Sequence, residues 1–455
     1  MLNETIGAIS TAYGKGGVAV IRISGDDALE VAKRVFRLKA KDIEPRKAYY
    51  GEILRDNTVI DDGILTYFKA PNSFTGEDVC EICCHGGIYS TQAVLESVLS
   101  SGARQANAGE FTKRAYINGK LSLSSAEAIS NVIDAKTDSQ LKLSSSLARG
   151  TLSTKIEEIR ETIISLISRA YAVIDYPDED IEDNTYEDME KSIDNVISSL
   201  ERLKRSYKAG KAVSEGVKTA IIGKPNAGKS SLYNMLLGKD LAIVTDIAGT
   251  TRDVIENTAS IGGVTLCLAD TAGIRETEDT VEKIGVLRAK KKIEESELIF
   301  LVFDYSRIED CEDKQILEET KGKNVIGIIN KTDTSRGISK EFEEEIKNSV
   351  ENVVYISAKD GTGYEELSSM VSQMYALGEF DLSSDAILAN ARQSSSVNLA
   401  LEEAIYAKEA LVNKMTPDVI CFTLEKSLSE LNMIDLRDAG EEIVSAIFSR
   451  FCVGK

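Results

Sequence analysis

Gly223-Lys224-Pro225-Asn226-Ala227-Gly228-Lys229-Ser230 sets two glycines, a lysine and a hydroxyl at the spacing G-x-x-x-x-G-K-[ST]. That is the spacing of a phosphate-binding loop. Glycines let consecutive backbone N–H groups turn inward around an anion, Lys229 reaches the terminal phosphates, and the Ser230 hydroxyl can hold Mg²⁺. Asn226, Ala227, Gly228, Lys229, Ser230 and Ser231 are therefore the first candidate nucleotide contacts. Such a loop needs a strand before it and a helix after it. Val217 to Ile222 reads as a buried strand, and Ser231 to Leu237 as the start of a helix whose dipole favours a phosphate. Taken alone, the loop fits ATP and GTP equally.

Four later segments separate the two nucleotides. Gly249-Thr250-Thr251-Arg252-Asp253 offers Thr251 as a second hydroxyl for Mg²⁺. Asp270-Thr271-Ala272-Gly273 follows the apolar run Val264–Leu268 and puts a carboxylate and a peptide N–H near the γ-phosphate. Asn330-Lys331-Thr332-Asp333 follows the apolar run Val325–Ile329. There Asp333 can accept from guanine's N1–H and exocyclic amine, which adenine cannot match, while Lys331 packs on the base. Ser357-Ala358-Lys359, after the strand expected at Val353–Ile356, offers a backbone N–H to the guanine oxygen. In this order, with the last three each after a strand, the segments specify a GTPase domain.

One usual part is missing. The residue after the Asp-x-x-Gly element, where many GTPases carry a water-orienting glutamine, is Ile274. Glu282, on the helix expected next, is a candidate to position the attacking water or an exposed helix residue. Asn226 either supplies a side-chain oxygen to a monovalent cation beside the phosphates or serves only the turn. A cation there would replace an arginine finger electrostatically, and the turn-rich stretch Thr245, Asp246, Ile247, Ala248, Gly249, Thr250 can add carbonyls.

The elements around this module come in blocks. Residues 1–118 read as α+β: a strand at Val18–Ser24, an amphipathic helix at Asp26–Phe36, a strand at Asp78–Cys84 and helical spacing over Ile88–Leu99. Leu121–Ala135, Ser139–Leu147, Thr154–Ile174 and Tyr186–Tyr207 are helical, and helical texture returns after the GTPase module. There Val397, Leu401, Ala404 and Ile405 share a face, as do Ile420, Leu424, Leu428 and Leu431, with Thr416-Pro417 starting the second helix. The economical organisation is a P-loop α/β GTPase domain with a mostly parallel sheet (216–380) inserted into an all-α helical domain (119–215 and 381–455). An N-terminal α+β domain (1–118) precedes it.

At 455 residues the chain can bury several cores, and its hydrophobic fraction of 42% is ordinary. Apolar runs such as Leu298–Phe303 are strand-sized, so no membrane span is expected. The N-terminus shows no basic stretch leading into an apolar one, so no signal peptide is expected, and seven scattered cysteines read as reduced thiols in a cytoplasm. A formal net charge of −20 argues against indiscriminate nucleic-acid binding, yet leaves room for RNA at a confined basic site or for RNA held mainly by a partner.

Beyond the GTPase motifs, several segments carry a whole-chain resemblance. They are Gly14 to Gly25 (GKGGVAVIRISG), Pro71 to Asp78 (PNSFTGED), His85-Gly86-Gly87 and Gly109 to Ala115 (GEFTKRA). Asn118 to Leu121 (NGKL), Asp175 to Glu179 (DYPDE) and the terminal Phe451-Cys452-Val453-Gly454-Lys455 complete the set. In these the chain resembles the tRNA-modifying GTPase family MnmE, also called TrmE, and its mitochondrial relatives. The resemblance implies a homodimer built on a tetrahydrofolate-binding N-terminal domain, taking 5-formyl- or 5,10-methylene-tetrahydrofolate. It implies K⁺-stimulated GTP hydrolysis with Mg²⁺, and an FAD-containing partner, MnmG (GidA). Together the two add an aminomethyl or carboxymethylaminomethyl group to C5 of the wobble uridine of certain tRNAs. Carried over by motif, Arg22, Glu81, Lys120 and Lys455 contact the folate. Asn226, Thr245, Ile247 and Thr250 hold K⁺, and Glu282 serves catalysis. The sequence departs from the family pattern at Ala12-Tyr13, where prolines are frequent, and at Val453, where isoleucine is usual. An Era/Der-like switch docking on ribosomal RNA is the rival reading, but no KH-type Gly-x-x-Gly region follows the GTPase module.

Cys80-Glu81-Ile82-Cys83-Cys84-His85 resembles a metal-ligand run, but adjacent strand residues point to opposite faces and cannot share a compact tetrahedral site. Cys452, two residues before the terminal lysine, is either a nucleophile toward the uridine or one-carbon unit or a packing residue.

Overall fold

The computed structural model describes residues 4–38, 42–175, 184–239, 257–268, 293–435, 447–449, 451 and 453–454. The chain divides into two compact units, Met1–Ser130 with Asn432–Lys455, and Asn131–Leu431.

The first unit is built on a seven-stranded sheet in the order β3-β4-β5-β6-β2-β1-β7. Its elements are β1 (Ile6–Ile9), β2 (Val18–Ser24), α1 (Ala28–Val35), β3 (Phe36–Arg37), β4 (Ala48–Arg55), β5 (Thr58–Phe68), β6 (Val79–His85), α2 (Ile88–Ser100), β7 (Arg104–Gln105), α3 (Glu110–Ile117) and the start of α4 (Leu123–Asp134). Strand alternation sends Ala19, Ile21 and Ile23 of β2, with Cys80, Ile82 and Cys84 of β6, into one core under α1 and α2. Arg22 and Glu81 consequently face the other side. The helix expected at Asp26–Phe36 stops at Val35, because Phe36 pairs with Ile53 as a strand residue.

The hairpin β4–β5 was not anticipated from sequence. It mixes buried Ile53, Leu54, Leu65 and Tyr67 with exposed and half-buried positions that break a clean alternation, and its turn is Asp56-Asn57 at φ 49° and 63°. Two positive φ values suit the mirror-image turn of a two-residue hairpin, although the usual Asn-Gly or Asp-Gly signature is absent. The chain end also belongs here. Val453 bridges Ala108, and Phe448 and Phe451 pack with Leu123 and Ala126. Gly109 permits this: a Cβ there would lie 2.5 Å from the Phe448 carbonyl oxygen.

The second unit holds a six-stranded sheet flanked in sequence by helices. Its elements are α5 (Asp138–Ala148), α6 (Thr151–Asp175), α7 (Asn184–Ser214), β8 (Val217–Gly223), α8 (Lys229–Lys239), β9 (Asn257–Ile261), β10 (Val264–Leu268) and β11 (Leu298–Asp304). Then follow α9 (Cys311–Glu319), β12 (Val325–Asn330), α10 (Lys340–Ser349), β13 (Asn352–Tyr355), α11 (Tyr364–Met374), α12 (Ala391–Val412) and α13 (Pro417–Asp435). The sheet order is β13-β12-β11-β8-β10-β9, parallel except for the β9–β10 pair. Buried on both faces, β11 and β12 are continuous apolar runs, which is why sequence reading located them. The strand expected at Val353–Ile356 lies one residue earlier.

The chain leaves the helices at Ser214 and returns at Ala389, and these two residues touch: Ser214 Oγ donates to the Ala389 carbonyl at 2.6 Å. Leu388 N–H donates to Ser206 Oγ at 3.1 Å, and a Cβ at Gly210 would lie 2.0 Å from the Leu388 oxygen. Entry and exit beside one helix make the α/β module an insertion between helices, with α12 packed along α7. On α12, Val397, Leu401 and Ala404 are buried, but Ile405 is exposed: it lies one residue past the buried stripe. On α13, Ile420, Leu424 and Leu431 are buried, while Ser427 takes the inward place beside half-buried Leu428 and donates to the Ala400 carbonyl at 2.8 Å.

Candidate functional site

The loop after β8 has the backbone a phosphate cradle requires. Gly223, Asn226 and Gly228 have φ of 153°, 61° and 95°, and α8 begins at Lys229. Ser230 and Ser231 are exposed in its first turn. Lys229 Nζ donates to the Lys224 carbonyl at 2.7 Å, folding its charge back over the loop. Lys224 in turn pairs with Asp310 and, at 2.7 Å, with Glu312 at the start of α9.

Asn330, 1% exposed at the end of β12, ties three segments together. Its Nδ2 donates to the Ala227 carbonyl at 3.0 Å, and its Oδ1 accepts from the Ala358 N–H at 3.0 Å. Gly228 is obligatory beside it, since a Cβ there would lie 2.0 Å from Asn330 Nδ2. Lys331, at φ 69°, donates to Asp304 Oδ2 at 2.6 Å. Burial pushes the Asp304 carboxyl up, but hydrogen bonds from Lys331 and Ser306 outweigh it and hold the group below its ordinary value. Asp333 Oδ1 accepts from Ser357 Oγ at 3.0 Å, which fixes the carboxylate beside the Ser357–Lys359 turn, where Lys359 is exposed.

Asn226–Ser231, Asn330–Asp333 and Ser357–Lys359 are thus brought to the C-terminal ends of β8, β12 and β13 in one parallel sheet, the usual ligand side of such sheets. Thr245, Asp246, Ile247, Ala248, Gly249, Thr250, Thr251, Asp270, Thr271, Ala272, Gly273 and Glu282 lie outside the described residues. Sequence reading missed Asp304 and Lys224. Asp304 carried one available signal, a carboxylate ending an apolar strand opposite Asn330.

A second constellation lies in the first unit. Arg22 and Glu81 stand directly opposite on β2 and β6, with Arg22 Nε donating to Glu81 Oε1 at 2.9 Å. The guanidinium also lies 5.5 Å from the Phe74 ring and 5.7 Å from the Phe111 ring. Lys120 Nζ donates to the Pro71 carbonyl at 3.0 Å, and Asn118 to the Thr75 carbonyl at 2.8 Å. The segment Pro71–Asp78 therefore links Arg22 to Lys120. Cys452 and Lys455 are outside the described residues, but their neighbour Gly454 accepts from Ser10 Oγ at 3.0 Å. Ser10 N–H is bonded to Val20, two residues along β2 from Arg22.

Cys80 and Cys84 of β6 behave as core residues, while Cys83 is half-buried on the other face. Burial pushes the Cys80 thiol up to about 12 and the Cys84 thiol up to about 11. The structure does bring Asp61 and Asp62 of β5 to His85, a grouping that spacing did not reveal. Its carboxylates are already engaged: His85 Nδ1 lies 2.7 Å from Asp61 Oδ1, and Tyr50 Oη donates to Asp62 at 2.5 Å. Among the described residues no helix is long and apolar enough to cross a membrane.

Two family models match the chain: the GTP-binding protein TrmE N-terminus over residues 5–120 and the MnmE helical domain over residues 123–452. Relatives named tRNA modification GTPase MnmE, from Clostridioides difficile (strain 630) and Thermoanaerobacter pseudethanolicus, are 42% and 40% identical to it. In both, 100% of this chain and 100% of the relative are covered. Similar solved structures include Aquifex aeolicus Era bound to GDP and aluminium fluoride, 29% identical over 41% of this chain and 66% of that one, with a TM-score of 0.27. The G domain of the T. maritima FeoB iron transporter is 26% identical over 35% of this chain and 98% of its own, with a TM-score of 0.24. On the family matches and the full-length relatives, the chain belongs to the MnmE (TrmE) family of tRNA modification GTPases.

Proposed function

We propose that this chain hydrolyses GTP as part of tRNA modification. With an FAD-containing partner of the MnmG type, it would add an aminomethyl or carboxymethylaminomethyl group to C5 of the wobble uridine. The observation that carries the nucleotide reading is the Asn330 amide, which links Ala227 of the phosphate loop to Ala358 of the base-reading turn. The tRNA reading rests on full-length likeness to the curated relatives. No separate observation favours the Era/Der-like alternative.

In this reading Lys229 meets the terminal phosphates, Asp333 accepts from guanine, and Lys331, steered by Asp304, lies against the base. The Ala358 N–H, already aimed by Asn330, serves the guanine oxygen. Ser230 and Thr251 hold Mg²⁺, while Asn226, Thr245, Ile247 and Thr250 hold K⁺. The two cations supply positive charge to offset the charge developing on the transferring phosphoryl group. Glu282 positions the attacking water. The donor set fits as far as it is described: Asn226 is exposed in a left-handed turn, and Ser230 is exposed in the first helical turn.

The tetrahydrofolate derivative belongs with Arg22, Glu81, Lys120 and Lys455. A half-exposed guanidinium–carboxylate pair beside Phe74 suits a ligand with an amide-like edge, an aromatic ring and carboxylates. Bound there, the folate supplies the one-carbon unit. Cys452 is retained as a candidate nucleophile. Homodimerisation is supported by exposed Tyr13, Val18 and Ile88 around a cavity of about 240 Å³, with exposed Tyr50 and Ile64 paired on the same sheet. We place the protein in the cytoplasm. The test is GTP hydrolysis by the full chain in K⁺ against Na⁺, with Mg²⁺ present. Faster turnover in K⁺ is expected, and equal rates would remove the cation role from Asn226.

A further inference from the structure

The second unit contains a cavity of about 770 Å³ between α6, α7 and the segment at residues 384–386 that leads back toward α12. Arg149, Lys155, Arg202 and Arg205 line it, a concentration of positive charge on a chain whose formal net charge is −20. Two carboxylates share the lining, and each is matched: Glu158 by Lys155 at 3.0 Å, Asp385 by Arg202 at 3.1 Å. That leaves two guanidinium charges in excess. Arg149 donates to the neutral Ser383 carbonyl at 3.2 Å, and Arg205 forms no ion pair among the described residues. Thr154, Ser198 and Ser199 add hydroxyl donors beside them.

We propose that this cavity is the docking site for the phosphodiester backbone of the RNA substrate. The inference rests on the tRNA reading above and adds where the polyanion is held. The acidic body repels RNA, so binding by this chain requires a confined region of opposite sign. Guanidinium forks with adjacent hydroxyls match the several acceptor oxygens of a phosphate better than the two of a carboxylate, which favours RNA over an acidic peptide.

The experiment is binding of an in-vitro transcribed tRNA to the full-length chain across a salt series, comparing wild type, R149E/R205E and E158Q. The double variant is expected to bind at least about tenfold more weakly, with a salt slope shallower by roughly two, one for each phosphate contact. E158Q, which frees Lys155, should bind more tightly, an effect that general loss of structure cannot produce. GTP hydrolysis and the melting curve should match wild type in both variants. Unchanged tRNA affinity and slope in R149E/R205E would overturn the cavity assignment while leaving the tRNA reading intact. Retained tRNA binding with loss of the flavoprotein partner would assign the cavity to a protein surface and equally overturn it. A wild-type chain that binds no tRNA even at low salt would overturn the cavity assignment and leave the RNA to be held by the flavoprotein partner.

Discussion

Asn330 and Ala227, 103 residues apart in sequence, are joined by a buried hydrogen bond of 3.0 Å from the asparagine amide to the phosphate-loop carbonyl. Because the same side chain accepts from Ala358, one amide sets the spacing between the loop after β8 and the Ser357–Lys359 turn. Neither loop has to be rigid alone for the distance between them to be fixed.

Replacing Asn330 with alanine should therefore weaken GTP binding rather than simply unfold the module. Each unmet buried group costs about 1–3 kcal/mol, so nucleotide affinity should fall roughly 10- to 100-fold. N330D should do worse, since it turns a carboxylate toward the Ala227 carbonyl. Titration with a fluorescent guanine nucleotide reads both, and affinity within twofold of wild type would sink the bridging role.

The chain end depends on a second close contact. Gly454 has φ 93°, and a Cβ there would lie 2.0 Å from the Ile9 oxygen. G454A should expel the tail from β1 and displace Lys455. Tetrahydrofolate affinity, measured by calorimetry, is expected to drop about tenfold or more. An unaltered affinity would take Lys455 out of the folate site.

Arg114 is 1% exposed and pairs with Glu77 at 2.9 Å and Glu110 at 3.0 Å. R114M leaves two carboxylates without that partner and should destabilise the first unit by about 3–5 kcal/mol. Burial pushes Glu110 up, but hydrogen bonds from Arg104, the Asn107 N–H and Arg114 bring it down to about 2. Since its ordinary value is 4.5, its contribution to stability is complete above that pH and is lost as pH falls through about 2. Urea midpoints of wild type should decline over that interval more steeply than those of E110Q, and parallel declines would contradict the assignment.

His85 is the only histidine, so one imidazole resonance reports on it. The hydrogen bond and the charge of Asp61 raise its pKa above the ordinary 6.5. The pair's stabilising contribution is full below 6.5 and disappears as pH rises through the raised value. D61N should return the NMR titration midpoint toward 6.5. A midpoint that does not move would mean the pair is absent in solution.

The proposed nucleotide site could be assembled from the sequence because its parts are local: a glycine pattern between a strand and a helix, and short polar motifs ending apolar strands. Buried parallel strands are continuous apolar runs, so β8, β10, β11 and β12 could be placed before the sheet was known. The family was likewise written in contiguous segments from Gly14 to Lys455. Tertiary structure decided what depends on distant partners. It set Arg22 opposite Glu81, aimed Asp304 at Lys331, brought Asp61 to His85, seated Gly454 on Ile9 and gathered Arg149 and Arg205 at one cavity. Each of these follows from strand register or helix packing between elements far apart in the chain. Spacing within a single element carries no record of which surface it will meet.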